Sequence, residues 1–130
     1  MVVVDASAIL EALLCTARAD AAQQWLDERQ TLHAPDLIDI EIAQALRRYH
    51  LRGELGARRG AQALDDLAAF GIKHYPHAPL LRRVWQLRAN ISAYDAAYVA
   101  LAEALDAPLL TSDARLANAP GHQAVIHCLT

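Results

Sequence analysis

A chain of 130 residues is long enough to bury one sizeable core and predicts a single domain over residues 1–130. Its hydrophobic fraction of 55%, much of it alanine, favours closely packed helices over a β-rich or disordered protein. The net charge of −3 gives no general electrostatic sign of a nucleic-acid binder.

The first element is the β-branched run Val2–Val4, which lacks polar alternation and predicts a strand buried on both faces. Asp5 closes this strand, and the next residues predict a helix over Ser7–Leu14 with Ser7 as its N-cap. No basic region precedes Asp5, and no later apolar run is long enough to cross a bilayer. The sequence therefore predicts neither a signal peptide nor a membrane partner.

Two cysteines, Cys15 and Cys128, lie near opposite ends of the chain without the spacing of a metal site. We interpret them as buried thiols of a reducing compartment, which predicts a cytoplasmic location.

The middle of the chain alternates helical periodicity with short apolar runs. The predicted elements are a helix over Ala17–Arg29, a strand over Thr31–Ala34, a helix from Pro35–Asp36 to Gly53, a helix over Leu55–Phe70, a strand over Ile72–Tyr75 and a helix over Leu80–Arg88. Asp36 is expected to cap the third helix. Glu41 lies beside the apolar stripe of that helix, where a glutamate is costly unless its charge is compensated.

The segment Ser92–Leu116 predicts a helix, a tight turn, a short buried strand at Leu109–Leu110 and a loop. Asp95 lies at the start of the helix, and Asp113 follows shortly after the strand. A fifth strand is predicted at Val125–His127.

Alternating strands and helices predict an α/β fold with a mainly parallel sheet of four to five strands covered on both faces. In such folds, sites lie beyond the carboxyl ends of the strands. Asp5 and Asp113 follow predicted strands, whereas Glu41 and Asp95 lie in the first turns of helices. We therefore expect these four carboxylates to reach one point.

Carboxylates held close together repel one another unless a cation lies between them. Oxygen ligands without His or Cys favour Mg²⁺ or Mn²⁺ over zinc, and such sites most often support phosphate-ester hydrolysis. Each acid alone also has a structural interpretation as a helix cap, a turn residue or a surface carboxylate. Ser7 and Thr111 are more often caps or turn hydroxyls than ligands.

Four segments, VVVDASAIL, APDLIDIEIAQALRR, LRANISAYDAAYVAL and APLLTSDARLA, resemble the PIN-domain ribonucleases, most closely the VapC toxins of bacterial toxin–antitoxin pairs. The resemblance spans essentially the whole chain and implies a three-layer α/β/α fold. It implies hydrolysis of RNA by a metal-activated water with Mg²⁺ (or Mn²⁺) as cofactor. The catalytic and metal-binding residues that it implies are Asp5, Glu41, Asp95 and Asp113, with Ser7 and Thr111 at accompanying hydroxyl positions.

The resemblance also implies a homodimer and a cognate antitoxin protein that binds the toxin in a higher complex and contacts operator DNA. One departure concerns the segment after Asp113, where many relatives carry a further acid and this chain has Asn118. A neutral ligand holds a cation less well than a carboxylate does, so one tightly held metal is expected.

Nearly all basic side chains are arginine, and several lie in clusters that suit phosphate contacts or simply form solvated helix faces. The candidates for contacting RNA are Arg47, Arg48, Arg82, Arg83 and Arg88, which the sequence does not rank. The alternatives to a toxin are an RNA-processing nuclease of the same family and a non-catalytic binding module. A phosphotransfer protein is disfavoured, because a haloacid-dehalogenase-like phosphatase needs a second aspartate two residues after the first, where this chain has Ser7.

Overall fold

A computed structural model describes residues 1–27 and 29–130 and contains a five-stranded sheet flanked by helices. The strands are β1 (Val2–Val4), β2 (Leu32–Pro35), β3 (Lys73–Tyr75), β4 (Leu109–Thr111) and β5 (Ile126–Cys128). The α-helices are α1 (Ala6–Leu13), α2 (Ala19–Trp25), α3 (Ile38–Leu51), α4 (Ala57–Ala69), α5 (Leu81–Gln86), α6 (Ala93–Leu105) and α7 (Ala114–Ala117), and a 3₁₀ turn at Ala78–Leu80 leads into α5. In the described ranges, no helix has the length and apolar character needed to span a membrane.

The sheet is parallel throughout, in the order β3-β2-β1-β4-β5. This arrangement confirms the predicted α/β/α fold and places β1 at the centre. Val3 pairs with His33 of β2 on one side and with Leu109 of β4 on the other. The chain order of the strands reverses direction at β1, and parallel sheets bind ligands beside the carboxyl ends of the strands at such a reversal.

The core lies on both faces of the central strands. All three residues of β1 are at most 1% exposed, as the uninterrupted β-branched run predicts for a strand covered by helices on both sides. Helix α6 supplies a continuous buried stretch, Ala96–Ala102, whose alanines allow close packing on the sheet. The alanine-rich composition therefore reflects tight helix–sheet contacts.

Two predicted helix caps are wrong. Asp5, not Ser7, is the N-cap of α1, since its carboxylate accepts a hydrogen bond from the Ala8 amide at 3.0 Å. Asp36 does not cap α3 either. The Asp36 amide continues the strand ladder by donating to the Tyr75 carbonyl. At the start of the helix, the Leu37 amide donates to His77 Nε2 at 2.9 Å.

Other differences from the predicted elements are small. The helix predicted at Ala17–Arg29 is shorter, Ala19–Trp25, and position 28 lies outside the described residues. The loop expected after Asp113 contains the short helix α7. Cys15 is exposed and Cys128 half-buried, so the interpretation of both as buried thiols is wrong. Cys15 lies in the turn after α1 with a φ of 51°, a conformation that a tight turn at the surface imposes.

Candidate active site

A pocket of about 480 Å³ opens beside the carboxyl ends of β1 and β4, and all four predicted acids line it. Asp5 follows β1, Glu41 and Asp95 lie in the first turns of α3 and α6, and Asp113 follows β4. The four side chains therefore share one pocket, as the sequence predicts. Within residues 1–27 and 29–130, no three acids, histidines or cysteines lie close enough together to hold an ion, so the role of the four acids as metal ligands stays a prediction.

Asp5 is the most deeply buried of these acids, with 5% of its surface exposed. Its Oδ1 accepts hydrogen bonds from the Ser7 hydroxyl at 2.6 Å and the Ala8 amide, and its Oδ2 accepts one from the Thr111 hydroxyl. Burial raises the pKa of the Asp5 carboxyl to about 6, the three hydrogen bonds oppose that rise, and the charge of Asp95 adds to it. The carboxylate is thus fixed in place at a considerable electrostatic cost.

The hydroxyls of Ser7 and Thr111 connect the two central strand ends. Ser7 Oγ accepts a hydrogen bond from the Ser112 amide at 2.9 Å, and Thr111 Oγ1 accepts one from the Asp113 amide at 3.0 Å. The two hydroxyl oxygens are 3.2 Å apart. These residues therefore bind Asp5 to the β4 loop, a role that differs from the helix cap predicted for Ser7.

Glu41 is half-buried, and its Oε1 accepts a hydrogen bond of 2.5 Å from the Tyr98 hydroxyl. Burial raises the pKa of Glu41, the Tyr98 bond lowers it, and the charge of Asp95 raises it again. Burial and the neighbouring Glu41 raise the pKa of the Tyr98 phenol, which therefore remains a protonated donor. Tyr98 lies one turn after Asp95 on α6, and its sequence position does not distinguish it from a core aromatic residue.

Asp95 and Asp113 line the same pocket, and their charges interact. Burial raises the pKa of Asp95, the charge of Asp113 raises it further, and Arg115 and the Ser92 hydroxyl oppose the rise. Asp113 also caps α7, since its Oδ1 accepts a hydrogen bond from the Arg115 amide at 2.9 Å. Asp5 and Asp113 are therefore both helix caps and lining residues of the pocket.

A fifth acid, Glu11, also lines the pocket and was missed. Its carboxylate accepts hydrogen bonds from the Thr16 hydroxyl and the Arg18 amide, which hold the turn between α1 and α2. Its position two helical turns after the end of β1, between Leu10 and Ala12, carries no sequence signal that separates it from a surface glutamate.

Two of the arginines reach the pocket, Arg48 on α3 and Arg115 on α7. Arg83 is occupied by a two-point ion pair with Glu103, with Nε to Oε2 at 2.9 Å, and Arg88 stacks on the Trp85 ring. Of the five arginines named as candidates for contacting RNA, Arg48 alone lines the pocket. Arg115, which was not among those candidates, lines it too.

Asn118, the neutral residue in place of a further acid, does not line the pocket. Its side-chain amide donates to the Ala114 carbonyl at 2.8 Å and so closes the end of α7. Asn118 therefore supplies no oxygen to the pocket, and a single metal held by the four predicted acids remains the expectation.

The oxygen donors of this pocket fit a hard divalent cation. Its lining contains carboxylates and hydroxyls and neither histidine nor cysteine, as far as the chain is described. Three of the acids have raised pKa values because burial and mutual repulsion disfavour their charged forms. A cation among them would relieve that repulsion directly.

The sequence matches a known family over most of its length. The family model described as PIN domain matches residues 2–121. Ribonuclease VapC9 of Mycobacterium tuberculosis is 48% identical over 118 residues, which cover 91% of this chain and 90% of that protein.

Two solved structures share the fold. PAE2754 from Pyrobaculum aerophilum superposes with a TM-score of 0.74 at 22% identity, over 96% of this chain and 81% of that one. VapBC2 from Rickettsia felis, bound to a DNA fragment from its promoter, gives a TM-score of 0.71 at 13% identity over 100% of both chains.

Proposed function

Since the chain belongs to the PIN-domain family, as a VapC-type protein, we propose that it is an endoribonuclease that depends on Mg²⁺ or Mn²⁺ and acts as the toxin of a toxin–antitoxin pair. One observation carries this proposal. Four carboxylates from four separate elements line one pocket beside the carboxyl ends of the central strands, where neither packing nor helix capping requires all of them.

The metal would be held by Asp5, Glu41, Asp95 and Asp113. When bound, such a cation activates water and neutralises charge on a phosphate. Asp5 is the anchoring ligand in this scheme, because three hydrogen bonds fix its orientation before any ligand arrives. The other acids are held by fewer hydrogen bonds, one from the Tyr98 hydroxyl to Glu41 and one from the Arg115 amide to Asp113.

Asp95 is our candidate for the group that accepts the proton of the attacking water. Its carboxylate is half-buried, and its raised pKa makes it a better proton acceptor than an ordinary aspartate. Asp113 remains the alternative, since it lies beside Asp95 and has a carboxylate on the same pocket.

Arg48 and Arg115 are our candidates for binding the RNA backbone. Both line the acidic pocket, and guanidinium groups match phosphate oxygens in a two-point geometry. They would bring the negatively charged strand to a site whose own charge repels it. Single-stranded RNA is the expected substrate because its bases and backbone can adapt to an open pocket.

The proposed partners are an antitoxin and a second copy of the chain. The fold shared with VapBC2 supports an antitoxin that contacts operator DNA.

A homodimer is supported by an exposed apolar patch on α5 and the start of α6, where Leu81, Trp85 and Tyr94 are 57%, 67% and 68% exposed. Sedimentation of the wild-type protein and of Trp85→Glu tests the dimer. We expect a dimer for the wild type and a monomer for the variant, and identical sedimentation profiles would show that this patch is not the dimer interface.

RNA cleavage by the purified protein tests the catalytic proposal. We expect cleavage with Mn²⁺ or Mg²⁺, none with EDTA, and none for Asp5→Asn. Asp39→Asn is the matched control, because Asp39 is an acid of the same helix as Glu41, pairs with His74 at 3.0 Å and does not line the pocket. Full activity of Asp5→Asn, or equal loss in Asp39→Asn, would contradict the assigned site.

An RNA-processing nuclease without a toxic role is the second candidate function. Expression in a bacterial host with and without a co-expressed antitoxin separates the two, since a toxin arrests growth and the antitoxin restores it. A non-catalytic binding module would bind RNA but leave it intact under every metal condition.

A further inference from the structure

The Tyr98 side chain is almost fully enclosed, with 1% of its surface exposed, yet it carries a polar hydroxyl. That hydroxyl donates to Glu41 Oε1 at 2.5 Å across 57 residues of sequence. Among the described residues, the same bond is the sole hydrogen bond of either side chain. Tyr98 thus connects the first turn of α3 to the middle of α6 at the floor of the pocket.

A phenylalanine would fill the same core volume without a polar atom to satisfy. A buried hydroxyl is tolerated only when it has a partner, because an unpaired one loses its hydrogen bonds to water. Core packing therefore explains the aromatic ring of Tyr98 but not its oxygen. The hydroxyl oxygen is explained by the hydrogen bond that it donates to the Glu41 carboxylate.

Glutamate has three rotatable side-chain bonds, so an unsupported Glu41 would sample many positions of its carboxylate. The bond from Tyr98 engages Oε1 and leaves Oε2 without a hydrogen bond in the described part of the chain. The ring of Tyr98 is itself immobilised by the core, so the donor is rigid. Supporting hydrogen bonds of this kind orient the groups that ligate metals.

We propose that Tyr98 is a positioning residue that fixes Glu41 so that its free oxygen is held ready for the divalent cation. This inference rests on the proposed metal-dependent function. Helix α6 then contributes twice to the site, through Asp95 directly and through Tyr98 by way of Glu41.

Titration calorimetry with Mn²⁺ tests the proposal on the wild-type protein and on Tyr98→Phe. We expect the variant to bind Mn²⁺ about tenfold more weakly, the lower end of the loss seen when a supporting hydrogen bond to a metal ligand is removed. Tyr75→Phe is the matched control: the Tyr75 hydroxyl forms a hydrogen bond with His33 Nδ1 at 2.7 Å, the residue does not line the pocket, and the variant should bind Mn²⁺ as the wild type does.

A double-mutant cycle distinguishes an action through Glu41 from a general loosening of the core. Tyr98→Phe should weaken Mn²⁺ binding in the wild-type background and leave it unchanged in the Glu41→Ala background, because the oriented group is then absent. RNA cleavage by Tyr98→Phe should recover when the Mn²⁺ concentration is raised to saturation, as expected for a defect in metal binding and not in the chemical step.

Three results would overturn the inference while leaving the proposed function intact: equal Mn²⁺ affinity of Tyr98→Phe and wild type, equal losses in both backgrounds of the cycle, or equal loss in Tyr75→Phe. Failure of the wild-type protein itself to bind Mn²⁺ would instead overturn the proposed function, and this inference with it.

Discussion

The Thr111 hydroxyl donates a hydrogen bond of 2.5 Å to Asp5 Oδ2, although 106 residues separate the two in sequence. The bond joins the ends of the adjacent strands β1 and β4, and Thr111 is completely buried. It therefore serves the packing of the sheet and the orientation of a proposed metal ligand at the same time.

Thr111→Val tests this contact, because valine keeps the shape of threonine and removes both the donor to Asp5 and the acceptor of the Asp113 amide. We expect the free energy of unfolding to fall by about 1–3 kcal/mol, since the buried Asp5 carboxylate loses a partner. Urea denaturation measures this change, and Thr130→Val, at an exposed threonine, is the control. Unchanged stability together with unchanged Mn²⁺ affinity would mean that the bond is energetically silent.

The metal-free protein should lose stability as the pH rises through about 6. The Asp5 carboxyl has a pKa of 3.8 when unfolded and about 6 when folded, so the folded state binds its proton more tightly. The contribution is fully present below about pH 4 and disappears above the folded value, a difference on the order of 3 kcal/mol. Unfolding curves in EDTA from pH 4 to 7 measure it.

Asp5→Asn is the control for this pH dependence, because asparagine does not titrate. The raised pKa values of Glu41 and Asp95 act in the same direction, so the variant should keep a shallower slope of the same sign. A slope as steep as that of the wild-type protein would show that the titration of Asp5 is not coupled to folding.

Arg48→Ala should weaken RNA binding with little dependence on RNA sequence. One lost phosphate contact should reduce the slope of log affinity against log salt by about 0.7 for a single strand. The measurement is best made in an Asp5→Asn background, where the RNA stays intact. Arg82→Ala is the matched control, since Arg82 is also exposed but does not line the pocket. Equal effects of the two substitutions would remove the case for Arg48.

Arg59→Ala should destabilise the fold without changing metal affinity. The Arg59 guanidinium donates to the Leu13 carbonyl at 2.5 Å, at the end of α1, and approaches Asp66 at 3.6 Å. Losing a cation at a helix carboxyl end costs about 1 kcal/mol. Denaturation measures the loss, and Arg58→Ala, at an exposed neighbouring arginine, is the control. A drop in Mn²⁺ affinity for Arg59→Ala would mean that α1 also transmits strain to Asp5.

The sheet was predictable from sequence because its signals are local: a β-branched run followed by an aspartate indicates a strand end, and parallel strands bring such ends together. The placement of the four acids around one pocket follows from the same rule, whereas their role as metal ligands stays a prediction. The caps were less predictable. Ser7 and Asp5 are both good cap residues, and the choice between them depends on Ser112, which occupies the Ser7 oxygen from a distant loop.

The supporting contacts were not predictable because their partners are far apart in sequence. Tyr98 looks like an ordinary aromatic residue on a buried helix face, and only the fold brings it to Glu41. His77 likewise reaches the start of α3 from a loop 40 residues away. Local patterns identify which residues carry charge, whereas tertiary structure determines which neighbours hold them.

The central position of β1 has a consequence for the order in which the protein is made. Strand β1 pairs with β2 and with β4, and helices α3 to α6 are made between these two neighbours. Asp5 therefore gains Thr111 and Asp113 as neighbours only after those helices have been synthesised. A nuclease built in this way has an incomplete pocket for as long as β4 is missing from the nascent chain.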